Sequence, residues 1–158
     1  VLLRSTSIRG LANVGAAGVD TCGDYSDGLS HPAATLPGYG GTHVRGYTFA
    51  GSRDVLLERG KIKMAGAEVG DSIGVDVMTD SEDIVIRDVQ VRKLYGGQSL
   101  PSPLPLPNLI PDAYGLRVGA QTSGVTLAGL CARELSAPGD SAPVFDATGQ
   151  ADIGGLCH

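Results

Sequence analysis

GVDVMTDSEDIVIRDVQVRKL, residues 74–94, superimposes without a gap on GLRVGAQTSGVTLAGLCAREL, residues 115–135. The offset, 115 minus 74, is 41 residues. Gly74 meets Gly115, Val75 meets Leu116, Val77 meets Val118 and Ile84 meets Val125. Ile86 then meets Leu127, Val89 meets Leu130 and Leu94 meets Leu135. Matched positions are almost all apolar, whereas the residues between them vary freely: Asp76 faces Arg117 and Arg87 faces Ala128. A shared backbone path with a shared inner face leaves that pattern.

The same pattern recurs more loosely outward from this pair. Residues 47–64, YTFAGSRDVLLERGKIKM, fit once one residue is dropped in the turn, which sets Asp54-Val55 on Asp83-Ile84. The opening VLLRSTSIRG echoes VLLERGKIKM at 55–64, as the second half of an earlier copy. PVFDATGQADIGGL, residues 143–156, reads as a final shortened copy. The chain therefore holds three good units and two partial ones.

Within a unit the apolar residues alternate, which marks strands with one buried face. The step from Ile86 to Val89 is three and breaks phase, so a corner is expected there. Gly74 and Gly115 are read as turn markers. Val, Ile and Thr dominate and Gly is frequent, which disfavours helix. A β-sandwich also supplies short strands and turns. It does not require ungapped self-similarity, whereas a solenoid does, because equivalent residues stack from coil to coil.

Composition agrees. The 158 residues suit one domain, 42% are hydrophobic, and 24 Gly with 4% aromatics imply many turns and a small-aliphatic core. The first residue is Val1 rather than Met, which we read as a mature product or a piece of something longer. A net charge of −5 argues against nucleic acid and anionic membranes as partners. No apolar run approaches the roughly 18 residues of a spanning helix. Cys22, Cys131 and Cys157 lack metal-binding spacing, so no metal site is expected from them. Cys131 and Cys157 occupy matching places in GLCA and GLCH, but free thiols are the expectation. Two long excursions, residues 15–42 and 95–113, separate the units and are expected to leave one side of the stack. The second carries Pro at 101, 103, 105, 107 and 111.

GVDVMTDSEDIVIRDVQV and GLRVGAQTSGVTLAGLCA resemble the pectate-lyase-like superfamily of right-handed parallel β-helices, over roughly residues 43–158. That superfamily includes polysaccharide lyases and hydrolases, uronan epimerases and phage tail spikes. The fold expected is all-β, a short right-handed parallel β-helix (solenoid) with long inter-coil loops. It forms a single domain over residues 1–158, within a larger protein or assembly. The Asp-Asp, GHG, RIK and RxPxxR segments of its enzymes do not occur. This lowers the expectation of catalysis.

The catalytic candidates are Asp20, Asp24 and Asp27 with His31. Carboxylates so grouped suit glycoside cleavage or a calcium ion; the plainer explanation is an ordinary Asp/Ser/Gly loop. SDGL, residues 26–29, resembles the turn into a coil of epimerase-like members. No other cofactor is expected. Asp80, Glu82 and Asp83 read as a solvated turn. Asp76 and Arg117 should stack on adjacent coils, about 4.8 Å apart, as an exposed pair contributing about 0–1 kcal/mol. Arg92 and Arg133 should stack likewise, as ordinary surface charge or as a grip on an acidic sugar. Tyr25, Tyr39 and Tyr95, in the excursions, are candidate sugar platforms, or simply cover loop bases.

The leading expectation is a non-catalytic surface module of spike or adhesin type that contacts glycans. Its setting would be extracellular or on a virion. The open ends of a short stack call for a homotrimer or a neighbouring domain. A polysaccharide lyase, glycoside hydrolase or epimerase fragment ranks second, and a structural spacer third.

Overall fold

The computed structural model describes residues 1–13, 44–67, 70–96 and 111–157. Eleven strands follow in order: β1 Leu2–Arg4, β2 Ser7–Asn13, β3 Val44–Phe49, β4 Arg53–Glu58, β5 Lys61–Ala67 and β6 Ser72–Val77, then β7 Glu82–Tyr95, β8 Ala113–Val118, β9 Thr126–Ser136, β10 Ser141–Asp146 and β11 Asp152–Leu156. Every pairing between them is parallel. One sheet has four strands in the order β10-β8-β6-β3, and the other has seven. Each of the three full coils thus contributes one run to the smaller sheet and two to the larger. This is an all-β solenoid-like architecture of two parallel sheets.

The registers reproduce the repeat. Val75 pairs with Leu116 and Val77 with Val118, and Ile86 pairs with Leu127 and Leu94 with Leu135, all at the offset of 41. Val55 pairs with Ile84 at an offset of 29, whereas Tyr47 pairs with Val75 at 28, so one residue is indeed missing from the earlier turn. Leu2 lies against Leu56 and Ile8 against Ile62, as the opening echo requires. The last partial coil lies against the third: Val144 pairs with Leu116 and Ile153 with Leu127.

These registers build apolar columns through the interior. Leu3, Leu57, Ile86, Leu127 and Ile153 are successive partners. Leu57 and Ile86 are fully buried, and Leu127 nearly so. Burial of each such side chain stabilises by roughly 1.5–3 kcal/mol.

The corner after Ile86 is a column of left-handed residues. Ser5, Arg59, Asp88, Gly129 and Gly155 follow in-register partners in five successive coils, and all have positive φ (53°, 54°, 52°, 114° and 69°). One left-handed residue rotates the next side chain, which explains the step of three. A second column, Asp54, Asp83 and Gly124, also has positive φ. Asp tolerates this conformation better than most residues, which accounts for the acids at 80 and 83; Asp80, Glu82 and Asp83 are all solvent-exposed.

Gly74 and Gly115 do not mark turns. They stand inside β6 and β8, where a Cβ on Gly74 would lie 2.6 Å from the Gly115 carbonyl and 2.9 Å from both Val91 methyls. Close approach of two runs, not a bend, requires glycine there.

Candidate functional site

Two outer surfaces gather chemistry. The first lies on β2, β5, the second half of β7 and β9. Val91 and Leu94 of β7 point into the core and are fully buried, which turns Arg92 outward. Arg9 is paired with Lys63, Lys63 with Arg92, and Arg92 with Arg133. Four consecutive coils therefore place an exposed cation at one register position, spaced by about 4.8 Å. Among the described residues the registers put no acid in this column. Lys61 stands in the neighbouring column, with Ser7, Gln90 and Cys131. Tyr95, half-buried, ends β7 beyond a further corner, where Lys93 and Glu134 have positive φ (61° and 57°), in register with Gly66 and Ser136.

Like charges on adjacent coils repel, weakly where solvent screens them. Unit charges about 4.8 Å apart repel by roughly 1 kcal/mol even at the dielectric constant of water. The concentration is not a consequence of overall charge, because the chain is acidic. All 12 Lys and Arg except Arg45 and Arg117 lie on the seven-stranded sheet or its corners. Around the corner, Glu58 accepts from Arg4 at 2.6 Å and lies 3.6 Å from both Arg59 and Arg87. Burial pushes the Glu58 carboxyl up, but Arg4, Arg59 and Arg87 together hold it below its ordinary value. Three cations around one carboxylate extend the positive surface.

The second surface is the outer side of the four-stranded sheet. Asp76 and Arg117 pair, as expected, but not as an exposed pair: Asp76 is 1% exposed. Arg117 Nε donates to Oδ1 at 2.9 Å and Nη2 to Oδ2 at 2.7 Å, while Arg45 Nε stands 2.8 Å from Oδ2 on the other side. Asp71 lies 3.9 Å from Arg117. Nearby, Asp71 accepts from the Asp112 amide and Asp112 from the Asp140 amide, so side chains tie successive coils together. Burial, and then the neighbouring charges of Asp71 and Asp140, raise the Asp112 carboxyl above its ordinary value. Tyr114, buried, stacks on Phe145 with centroids 5.1 Å apart. Burial first, then Asp112, raises its hydroxyl. Beside Phe145 opens a groove of about 410 Å³.

Arg92 and Arg133 thus stack on adjacent coils, whereas Tyr95 stands past the next corner. Asp20, Asp24, Asp27, His31, Tyr25, Tyr39 and Cys22 lie outside the described residues. Among the described residues no group of three or more His, Cys, Asp or Glu is placed to hold a metal ion, and no helix is long and apolar enough to cross a membrane. Arg9 and Lys63 were not singled out from the sequence, although the echo of residues 1–10 in 55–64 already aligns one with the other.

The expectation of free thiols is overturned for Cys131 and Cys157, which form a disulfide with Cα atoms 4.9 Å apart. Leu156 pairs with Leu130, so the next residues, the two cysteines, stack on adjacent coils. No protein-family model, curated protein or solved structure matches this chain.

Proposed function

We propose that this chain is a non-catalytic, glycan-contacting module of an extracellular or virion-surface assembly. It would hold an acidic polysaccharide along Arg9, Lys63, Arg92 and Arg133. The column carries this reading: it places an exposed cation on each of four consecutive coils, where an anionic polymer lying along the stack would meet all four. Arg forks recognise carboxylate and sulfate geometry well. Tyr95, three residues on from Arg92 and past the Lys93 corner, would offer a ring to an adjoining sugar.

Two further observations support the setting. A disulfide favours an oxidising compartment. Leu2 and Ile153, in the two outermost coils, are 55% and 40% exposed, which suits a neighbouring domain or a trimer partner. We take the coils to be right-handed, the sense that parallel crossovers overwhelmingly adopt, within a single domain over residues 1–158.

The test is a titration with polygalacturonate and heparin, with dextran as the neutral control. Binding to an acidic polymer, weakened at least roughly tenfold in the Lys63→Glu/Arg92→Glu double variant, is expected. Undiminished acidic-polymer binding by the folded double variant, or dextran binding that falls in the double variant as far as acidic-polymer binding does, would refute it.

A further inference from the structure

We propose a second binding site, for one neutral sugar ring, in the groove between Phe145 and Arg117. It rests on different residues from the cation column and stands without it.

The groove of about 410 Å³ is lined by Met78, Thr79, Arg117, Gln121, Phe145 and Ala147, among others. That volume is within the roughly 300–1,000 Å³ range of small-molecule sites. Phe145 is 41% exposed, yet it is not a loose surface ring: one side stacks on Tyr114, which is itself only 5% exposed. The ring is therefore held in position before a ligand arrives, which lowers the ordering cost of binding. The guanidinium of Arg117 is fixed as well, by two hydrogen bonds to buried Asp76.

Charge selects the class of ligand. Among the described residues Arg45 and Arg117 are matched by Asp71 and Asp76, so these four side chains bring no net charge to the groove. These four side chains do not favour a carboxylate or phosphate over a neutral molecule, in contrast to the cation column. An entirely apolar occupant would desolvate the Thr79 hydroxyl and the Gln121 amide without replacing their hydrogen bonds with water. A pyranose meets both demands: its C–H face packs on Phe145, and its hydroxyl edge faces the polar rim.

Saturation-transfer NMR with glucose, galactose, mannose, N-acetylglucosamine and their disaccharides tests this. Transfer to at least one neutral sugar is expected, strongest at the protons of one ring face. Phe145→Leu should weaken binding roughly fivefold to tenfold. Phe145→Tyr, which keeps the ring, and Lys63→Glu/Arg92→Glu, which keeps the groove, should both retain it. Absence of transfer from every neutral sugar at millimolar concentration overturns the proposal. So does transfer unchanged in folded Phe145→Leu, or abolished by Lys63→Glu/Arg92→Glu, which would place the sugar on the column instead.

Discussion

Arg117 holds Asp76 from one coil away with two hydrogen bonds, 2.9 and 2.7 Å, across 41 residues of sequence. Asp76 is the 1%-exposed centre of a cluster whose other cation is Arg45. Asp76→Asn leaves two guanidinium groups without the carboxylate between them. Breaking a buried pair in this way costs about 3–5 kcal/mol. Urea denaturation should show a loss of that order; a loss below about 1 kcal/mol would mean that the cluster is solvated.

The left-handed corner makes a conformational prediction. Asp88 has φ 52°. A β-branched residue is a poor occupant of this region, so Asp88→Val should destabilise by roughly 1–2 kcal/mol. Asp88→Gly should be neutral or mildly stabilising. Gly129→Ala, one coil on, should also destabilise, because its φ is 114° and a Cβ there would lie 2.9 Å from Asp88 Oδ1. Equal denaturation midpoints for Asp88→Val and Asp88→Gly would contradict the corner.

The disulfide joins the last coil to the one before it, across a separation of 26 residues. A loop of that size carries a stabilisation of roughly 3–4 kcal/mol in the chain-entropy model. Thermal unfolding with and without dithiothreitol should reveal it. Cys131→Ala/Cys157→Ala should match the reduced protein and should not respond to dithiothreitol.

Two carboxyls should respond to pH in opposite ways. Burial pushes Asp146 up, but hydrogen bonds from Thr148, then the Ala151, Thr148 and Gly149 amides, bring it below its ordinary 3.8. Its stabilisation is present above 3.8 and is lost as pH falls through the lowered folded value. Asp146→Ala should therefore be most damaging at neutral pH, with the gap from wild type shrinking in acid. Asp112 lies above 3.8 when folded, so stability is lost as pH rises through that raised value. Asp112→Asn should compare more favourably with wild type at pH 7 than at pH 3. Parallel melting-temperature profiles for all three proteins would contradict both assignments.

The inner face was legible because equal turn lengths in two coils kept Val75 on Leu116 and Ile86 on Leu127 at one offset. Even the shortened turn before Val55 could be inferred. The cation column was half hidden. Arg92 and Arg133 share the main offset, but Lys63 joins Arg92 only after the one-residue deletion is carried through. The disulfide was missed although GLCA and GLCH had matched the two cysteines, at the offset of 26 that Leu156 and Leu130 share, because pattern alone does not measure thiol separation. Asp76 was placed correctly but expected in solvent: strand alternation gives direction, not cover. Phe145 carried no periodic signal, since its groove depends on packing against Tyr114.

The spatial column, rather than loose positive charge, is the core of the functional reading. The most direct test is the salt dependence of polygalacturonate binding for Arg92→Gln beside Arg53→Gln, an exposed arginine of the same sheet that stands outside the column. Binding should weaken log-linearly with salt as counterions are released, with a slope about one unit shallower in Arg92→Gln and nearly unchanged in Arg53→Gln. Equal slopes for the two variants would show that any surface cation serves, and that the alignment of four coils has no role in recognition.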